Sequence, residues 1–239
     1  MKLVGERRAI ASAVFFFYFM VYMLLILLGF VPEPLVKAFV AIAGVYGLAF
    51  FSLVAGYFWA RWYAVGVGLF GVILGAVGMW QEGAEPQIIF IGGTHLAATL
   101  MLWGETMSVP YDGQTAWREK FHMDDNAVQR LGRSVIRAGV SLPFVLLYAL
   151  APKQDVGSVV VSIAAVCLTG LGIRALVKLK TWGVLAIGTA GILLTTLAGV
   201  DLAAGSSQLM VLTPALAGLL LIAAAIPFVR PMARYAFAR

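Results

Sequence analysis

His95 is the residue of this sequence best suited to chemistry inside a membrane. It follows Gly92, Gly93 and Thr94 in the middle of a long apolar segment, where an imidazole is costly unless a partner satisfies it. Thr94 and His95 are therefore candidates for a proton relay, or for a polar contact with a ligand or lipid headgroup. The alternative is a neutral histidine that is hydrogen-bonded to a neighbouring helix and holds the helices together.

Two acidic residues at predicted helix ends are further candidates for binding a ligand or relaying a proton. Glu105 follows the segment that contains His95, about 15 Å farther along a helix, so a link between the two would need a path through water. Asp201 lies at the opposite end of a later segment. The alternative for both residues is a carboxylate solvated among the headgroups.

Metal and cofactor chemistry finds little support in the sequence. His95 is the only histidine in an apolar segment, and His122 lies in the polar stretch 105–133. No cysteine or carboxylate stands at ligand spacing beside His95. We therefore expect no metal, no other cofactor and no catalytic residue.

Two arginines lie slightly inside predicted helix ends. Arg137 and Arg174 are candidates for contact with anionic lipid headgroups. The simpler alternative is that each side chain extends its guanidinium to the membrane interface.

The segments that carry these residues are membrane helices by composition. Hydrophobic residues make up 62% of the 239 residues and charged residues 12%, and the mean hydropathy is +0.96. A spanning helix needs about 20 mostly apolar residues. The sequence predicts an all-α bundle of about eight transmembrane helices, at 9–30, 34–58, 62–80, 86–104, 134–151, 156–177, 181–201 and 208–229.

The charge distribution predicts the orientation of these segments. All of the 17 lysines and arginines except Lys37 and Lys153 fall on one side of an eight-span arrangement. Because positively charged loops stay in the cytoplasm, we expect a multi-pass protein of the cytoplasmic (inner) membrane with both termini inside. The basic rim favours anionic membrane lipids as partners, and a nucleic-acid partner is not expected.

The sequence suggests an internal repeat with a spacing of about 120 residues. Pro32 and Trp62 correspond to Pro152 and Trp182, and Gly68 and Gly71 correspond to Gly188 and Gly191. We expect two parallel four-helix units at 1–110 and 134–239, joined by a cytoplasmic linker at 111–133.

Each unit resembles the small four-helix membrane domains of the DoxX-like kind. The resemblance rests on a proline after the first helix and on a basic residue with tryptophan before the third. It implies the architecture only, and no residue or activity is carried over.

Three local patterns give more detailed expectations. Asp124 or Asp125 is expected to cap a helix that continues into the fifth segment. Gly71 and Gly75 form a GxxxG face that favours close packing within one chain. Cys167 is expected to be a small buried packing residue.

Three functions fit these observations. The first is a non-catalytic subunit or assembly factor that packs against other membrane proteins or against a second copy of itself. The second is a small transporter or channel that uses His95 at mid-membrane. The third is a membrane-embedded lipid-modifying enzyme, for which the sequence offers only the polar stretch 105–133.

Overall fold

The computed structural model describes residues 3–107, 125–153, 155–178 and 180–237. These residues form eight α-helices: α1 (Val4–Leu27), α2 (Val36–Ala55), α3 (Ala60–Glu82), α4 (Pro86–Met101), α5 (Asp125–Leu150), α6 (Val156–Val177), α7 (Trp182–Ala203) and α8 (Gln208–Phe237). Short 3-10 turns at Glu33–Leu35 and Glu105–Met107 precede α2 and follow α4. The predicted all-α class is confirmed.

Seven of these helices, all except α4, are long and apolar enough to cross a membrane. Helix α4 has 16 residues, which corresponds to about 24 Å of helix. The chain is therefore a multi-pass membrane protein by length and composition.

Helix α5 begins at Asp125, well before the predicted apolar segment at 134. This start agrees with the expected helix that continues into the fifth segment, while the capping role of Asp124 or Asp125 stays a prediction. Arg130 and Arg133 lie in the added turns and donate to main-chain carbonyls four residues earlier. The helix thus carries a charged section before its membrane section.

The chain divides into two compact units, unit 1 at residues 1–122 and unit 2 at 123–239. In unit 1, α1 packs on α2 and α4, and α3 packs on the same two helices. In unit 2, α5 packs on α6 and α8, and α7 packs on the same two. Each unit is a ring of four helices in chain order.

Arginine side chains donate hydrogen bonds to main-chain carbonyls at helix C-termini at one end of unit 1. Arg7 donates to the carbonyls of Leu100 and Trp103, and Arg8 donates to that of Leu53. Arg61 donates to the Leu102 carbonyl over 3.0 Å. The last carbonyls of a helix lack an internal donor and carry a partial negative charge, so guanidinium groups are suited to them.

The glycines of α3 bring α4 close, as the GxxxG pattern predicts. A Cβ atom at Gly75 would lie 2.7 Å from the Cα of Gly92, so the two backbones are in contact there. By contrast, Cys167 is exposed on α6, and the expectation that it is buried was wrong. It lies on the outward face of the helix, beside Ile163 and Leu171.

Candidate functional site

His95 is buried inside unit 1, with 1% of its surface exposed. Its Nδ1 lies 2.7 Å from the Ile91 carbonyl oxygen, one turn earlier in α4. Its Nε2 lies 2.7 Å from the hydroxyl of Tyr46 on α2. A carbonyl only accepts hydrogen bonds, so Nδ1 carries a proton. In the neutral ring, Nε2 then accepts from Tyr46.

Tyr18 from α1 covers the imidazole. The Tyr18 ring centroid lies 4.1 Å from that of His95, and the Tyr18 hydroxyl lies 2.6 Å from Thr94 Oγ1. Tyr46 stacks between Tyr18 and Tyr22, with 5.5 Å between centroids on each side. We call Tyr18, Tyr22, Tyr46, Thr94 and His95 the tyrosine–histidine cluster.

Helix α3 forms the opposite wall of this cluster through glycine. A Cβ atom at Gly71 would lie 2.0 Å from His95 Cδ2, and one at Gly68 would meet Thr99 Oγ1. The imidazole therefore occupies the space that a side chain at position 71 would fill. Packing from α3 and the two hydrogen bonds together hold the ring in one orientation.

The hydrogen-bond chains of the cluster end at main-chain carbonyls. One runs from Tyr46 through His95 to the Ile91 carbonyl. The other runs from Tyr18 through Thr94 to the Phe90 carbonyl. A carbonyl oxygen has no proton to pass on. The arrangement therefore favours the structural alternative for His95 and Thr94 over a proton relay.

The remaining polar candidates, in the stretch 105–133, are less completely described. Glu105 opens the 3-10 turn after α4, and its side chain lies outside the described part of the chain. His122 and Asp124 also lie outside the described residues.

Asp201 lines a polar pocket in unit 2. The pocket has a volume of about 370 Å³ and takes residues from all four helices of the unit or from the loops between them. The Tyr148 hydroxyl donates to Asp201 Oδ2 over 2.8 Å. Tyr148 is 2% exposed, so this tyrosine forms the floor and fixes the carboxylate above it.

Lys153 and Asp155 form the rim of the same pocket. The Lys153 Nζ lies 3.3 Å from the centroid of the Tyr148 ring, a cation–π contact. Burial lowers the pKa of Lys153, and the Asp201 carboxylate partly opposes this shift. Asp155 caps α6 by accepting from the Ser158 N–H over 2.7 Å. That hydrogen bond lowers the pKa of Asp155.

The end of α7 sets the geometry of the pocket. Gly205 has a φ of 71°, and the Ser206 N–H donates to the Asp201 carbonyl over 2.9 Å. This is the glycine-terminated helix end that reverses the chain after a C-terminus. It places the hydroxyl-bearing Ser206 and Ser207 beside Asp201.

The two arginine candidates have different surroundings. Arg137 is half-buried and donates through Nη1 to the Ala223 carbonyl on α8 over 2.5 Å. Pro227 lies four residues after Ala223 and has no N–H, so the usual helical donor to that carbonyl is missing. Arg174 is exposed in the last turn of α6, as snorkelling to the interface requires.

Among the described residues, no group of three or more histidine, cysteine or acidic side chains is arranged to hold a metal ion. Comparisons with protein families, with functionally characterised proteins and with solved structures found no match to this chain.

Sequence reasoning missed the partners of the candidate residues. Tyr46 and Tyr148 are the direct hydrogen-bond partners of His95 and Asp201. Tyr18 and Tyr22 are spaced one helical turn apart, which was a usable signal that one face of α1 is polar. For Arg137, the signal was Pro227.

Proposed function

We propose that this protein is a non-catalytic subunit or assembly factor that packs against another protein in the membrane. The observation that carries the proposal is an exposed aromatic face on unit 1. The closed hydrogen bonding of the tyrosine–histidine cluster supports the non-catalytic part, because His95 and Thr94 are already engaged within the protein.

The aromatic face comprises Phe16, Phe17, Phe50, Phe51 and Phe90, on three neighbouring helices. Phe16 and Phe50 lie 4.9 Å apart between ring centroids, and Phe50 and Phe51 lie 5.0 Å apart. On the other side of α1, Phe17 meets Phe90 edge to face at 6.3 Å. Phe51 and Phe90 are more than half exposed.

A protein partner accounts for this face better than lipid does. Lipid chains require only an apolar surface, and the exposed surface of unit 2 meets that need with aliphatic residues such as Leu185, Ile192 and Leu219. Aromatic rings bring large contact areas with few rotatable bonds, which is why they are enriched where proteins bind proteins. Phe16 and Phe17 lie mid-helix, away from the interfacial belts that tryptophan and tyrosine prefer.

The membrane arrangement that we propose has eight spans, with α4 as the fourth and both termini cytoplasmic. The matching helix order of the two units supports a parallel tandem repeat. The close packing at Gly71 and Gly191 also supports the repeat, since a Cβ atom at either position would collide with the next helix of its unit. Thiol labelling of Lys37→Cys and Lys178→Cys in a Cys167→Ser background tests the orientation, because the proposed arrangement places the two residues on opposite sides of the membrane.

Transport receives less support from the geometry. A transported proton or solute needs a continuous polar path, whereas both hydrogen-bond chains around His95 end at carbonyls. The lipid-modifying alternative depends on residues of 105–133 that lie mostly outside the described part of the chain.

Native mass spectrometry of the protein released gently from its own membrane tests the subunit proposal. We expect a stoichiometric complex with another membrane protein or with a second copy. The variant Phe16→Leu, Phe17→Leu, Phe51→Leu keeps the surface apolar and should reduce the bound fraction at least tenfold. The matched control Leu185→Val, Ile192→Val, Leu219→Val should retain the complex. A monomeric wild type, or a triple phenylalanine variant that still binds, would overturn the proposal.

A further inference from the structure

The polar pocket of unit 2 has the size of a small-ligand site. Its volume of about 370 Å³ lies at the lower end of the range for ligand pockets, about 300–1,000 Å³. A single zwitterionic headgroup or a small metabolite fits that range, whereas a whole lipid does not. The pocket lies entirely within unit 2 and shares no residue with the aromatic face of unit 1.

The pocket contains one cationic and two anionic side chains, which differ in how far contacts within the protein already occupy them. Asp155 is engaged as the cap of α6 through the Ser158 N–H. Among the described residues, the Asp201 carboxylate receives a hydrogen bond from Tyr148, and a carboxylate has capacity for about four. The ammonium of Lys153 rests on the Tyr148 ring face. Its three N–H donors are therefore not consumed by that contact.

Tyr148 connects the two opposite charges. The Lys153 ammonium lies over the face of its ring and the Asp201 carboxylate accepts from its hydroxyl, so one rigid side chain contacts both a cation and an anion. Burial of Lys153 favours an anionic partner, because an ammonium removed from water gains from a new counter-charge. Ser206 and Ser207 add hydroxyl donors at the same rim.

We propose that this pocket binds a zwitterion that carries an amine and a phosphate group. The phosphate contacts Lys153 and the two serine hydroxyls, and the amine contacts Asp201. This chemistry occurs both in free phosphoethanolamine and in the headgroup of phosphatidylethanolamine. The pocket lies at the end of unit 2 that the charge distribution assigns to the outside, where either source reaches it.

The test uses the full-length protein in nanodiscs of phosphatidylglycerol, titrated calorimetrically with phosphoethanolamine, inorganic phosphate and ethanolamine. Phosphoethanolamine should bind at least tenfold more tightly than either phosphate or ethanolamine alone, because it makes both charge-assisted contacts. A second arm counts phosphatidylethanolamine molecules retained on the protein by native mass spectrometry. Retention of this lipid with no response to soluble phosphoethanolamine identifies a lipid headgroup as the source.

Charge-removing variants locate the site. Lys153→Gln and Asp201→Asn should each weaken binding about tenfold or more, and Lys153→Arg should retain it. The matched controls are Lys37→Gln, in the first turn of α2, and Glu85→Gln, just before α4. Both lie in unit 1 and should bind as the wild type does. If the charge variants fail to fold, Ser206→Ala with Ser207→Ala removes only exposed hydroxyls. It should weaken binding roughly threefold to tenfold.

Several outcomes would overturn the proposal. One is binding of phosphate or ethanolamine as tight as that of phosphoethanolamine, which would make the site one for a single charge. Another is wild-type affinity in folded Lys153→Gln and Asp201→Asn proteins, or in the double serine variant. A third is the failure of both the soluble zwitterion and phosphatidylethanolamine to bind.

Discussion

The contact between Gly71 and His95 gives the sharpest stability prediction. Gly71→Ala places a methyl group where His95 Cδ2 lies 2.0 Å away and Nε2 lies 2.4 Å away. Because this distance is far below van der Waals contact, the ring must move. Movement of the ring also breaks the 2.7 Å hydrogen bond between Nε2 and Tyr46.

The magnitude follows from these two effects. Overpacking of a close-packed interior costs about 1–3 kcal/mol, and a buried polar group left unsatisfied costs about 1–3 kcal/mol more. We therefore expect Gly71→Ala to lower the free energy of unfolding by roughly 2–6 kcal/mol. Gly93→Ala is the matched control. Gly93 is also helical and precedes Thr94, but a Cβ atom there meets nothing within 4 Å.

The assay is equilibrium unfolding in mixed detergent micelles, combined in a double-mutant cycle with His95→Ala. Removal of the imidazole creates the space that the new methyl group needs. Gly71→Ala should therefore cost much less in the His95→Ala background than in the wild type. Additive costs, or equal effects of Gly71→Ala and Gly93→Ala, would refute the reasoning.

Two further predictions concern unit 2. Arg137→Leu should lower the melting temperature, because the Ala223 carbonyl loses its donor. In a Pro227→Ala background, which restores a helical N–H, the decrease in melting temperature should be smaller. Equal decreases in the two backgrounds would contradict this account. The pKa of Lys153 should lie below 10.5 in an NMR titration of the folded protein, and Asp201→Asn should lower it further. Since the pKa of Lys153 is depressed on folding, this residue makes stability rise with pH between its folded pKa and 10.5, whereas a flat profile and an unshifted pKa would contradict the burial argument.

The sequence predicted the helices well because lipid imposes a simple rule. Each apolar run of sufficient length becomes a helix, and prolines and tryptophans mark its ends. The start of α5 near Asp125 could also be predicted from the sequence, because an aspartate at the beginning of an amphipathic stretch is a local signal for a helix start. The exposure of Cys167 could not be predicted from the sequence, because a uniformly apolar helix gives no indication of which side faces its neighbours.

The sequence predicted individual candidate residues but not the residues that lie beside them in the fold. His95 was identified from the cost of a polar group in an apolar segment. Its partner Tyr46 is 49 residues away, and no periodicity links the two. The same holds for Tyr148 and Asp201, which are 53 residues apart. Such pairings depend on which helices become neighbours, and that is decided by packing along the whole chain.

The arginine contacts at the end of unit 1 have a consequence for biogenesis. Arg8 binds carbonyls 45 and 46 residues later in the chain, and Arg7 binds carbonyls 93 and 96 residues later. The Arg8 contacts can therefore form only after α2 has been synthesised, and the Arg7 contacts only after α4 has followed. The carbonyls at this end of unit 1 therefore gain their last arginine donor only when α4, the last helix of the unit, has been synthesised.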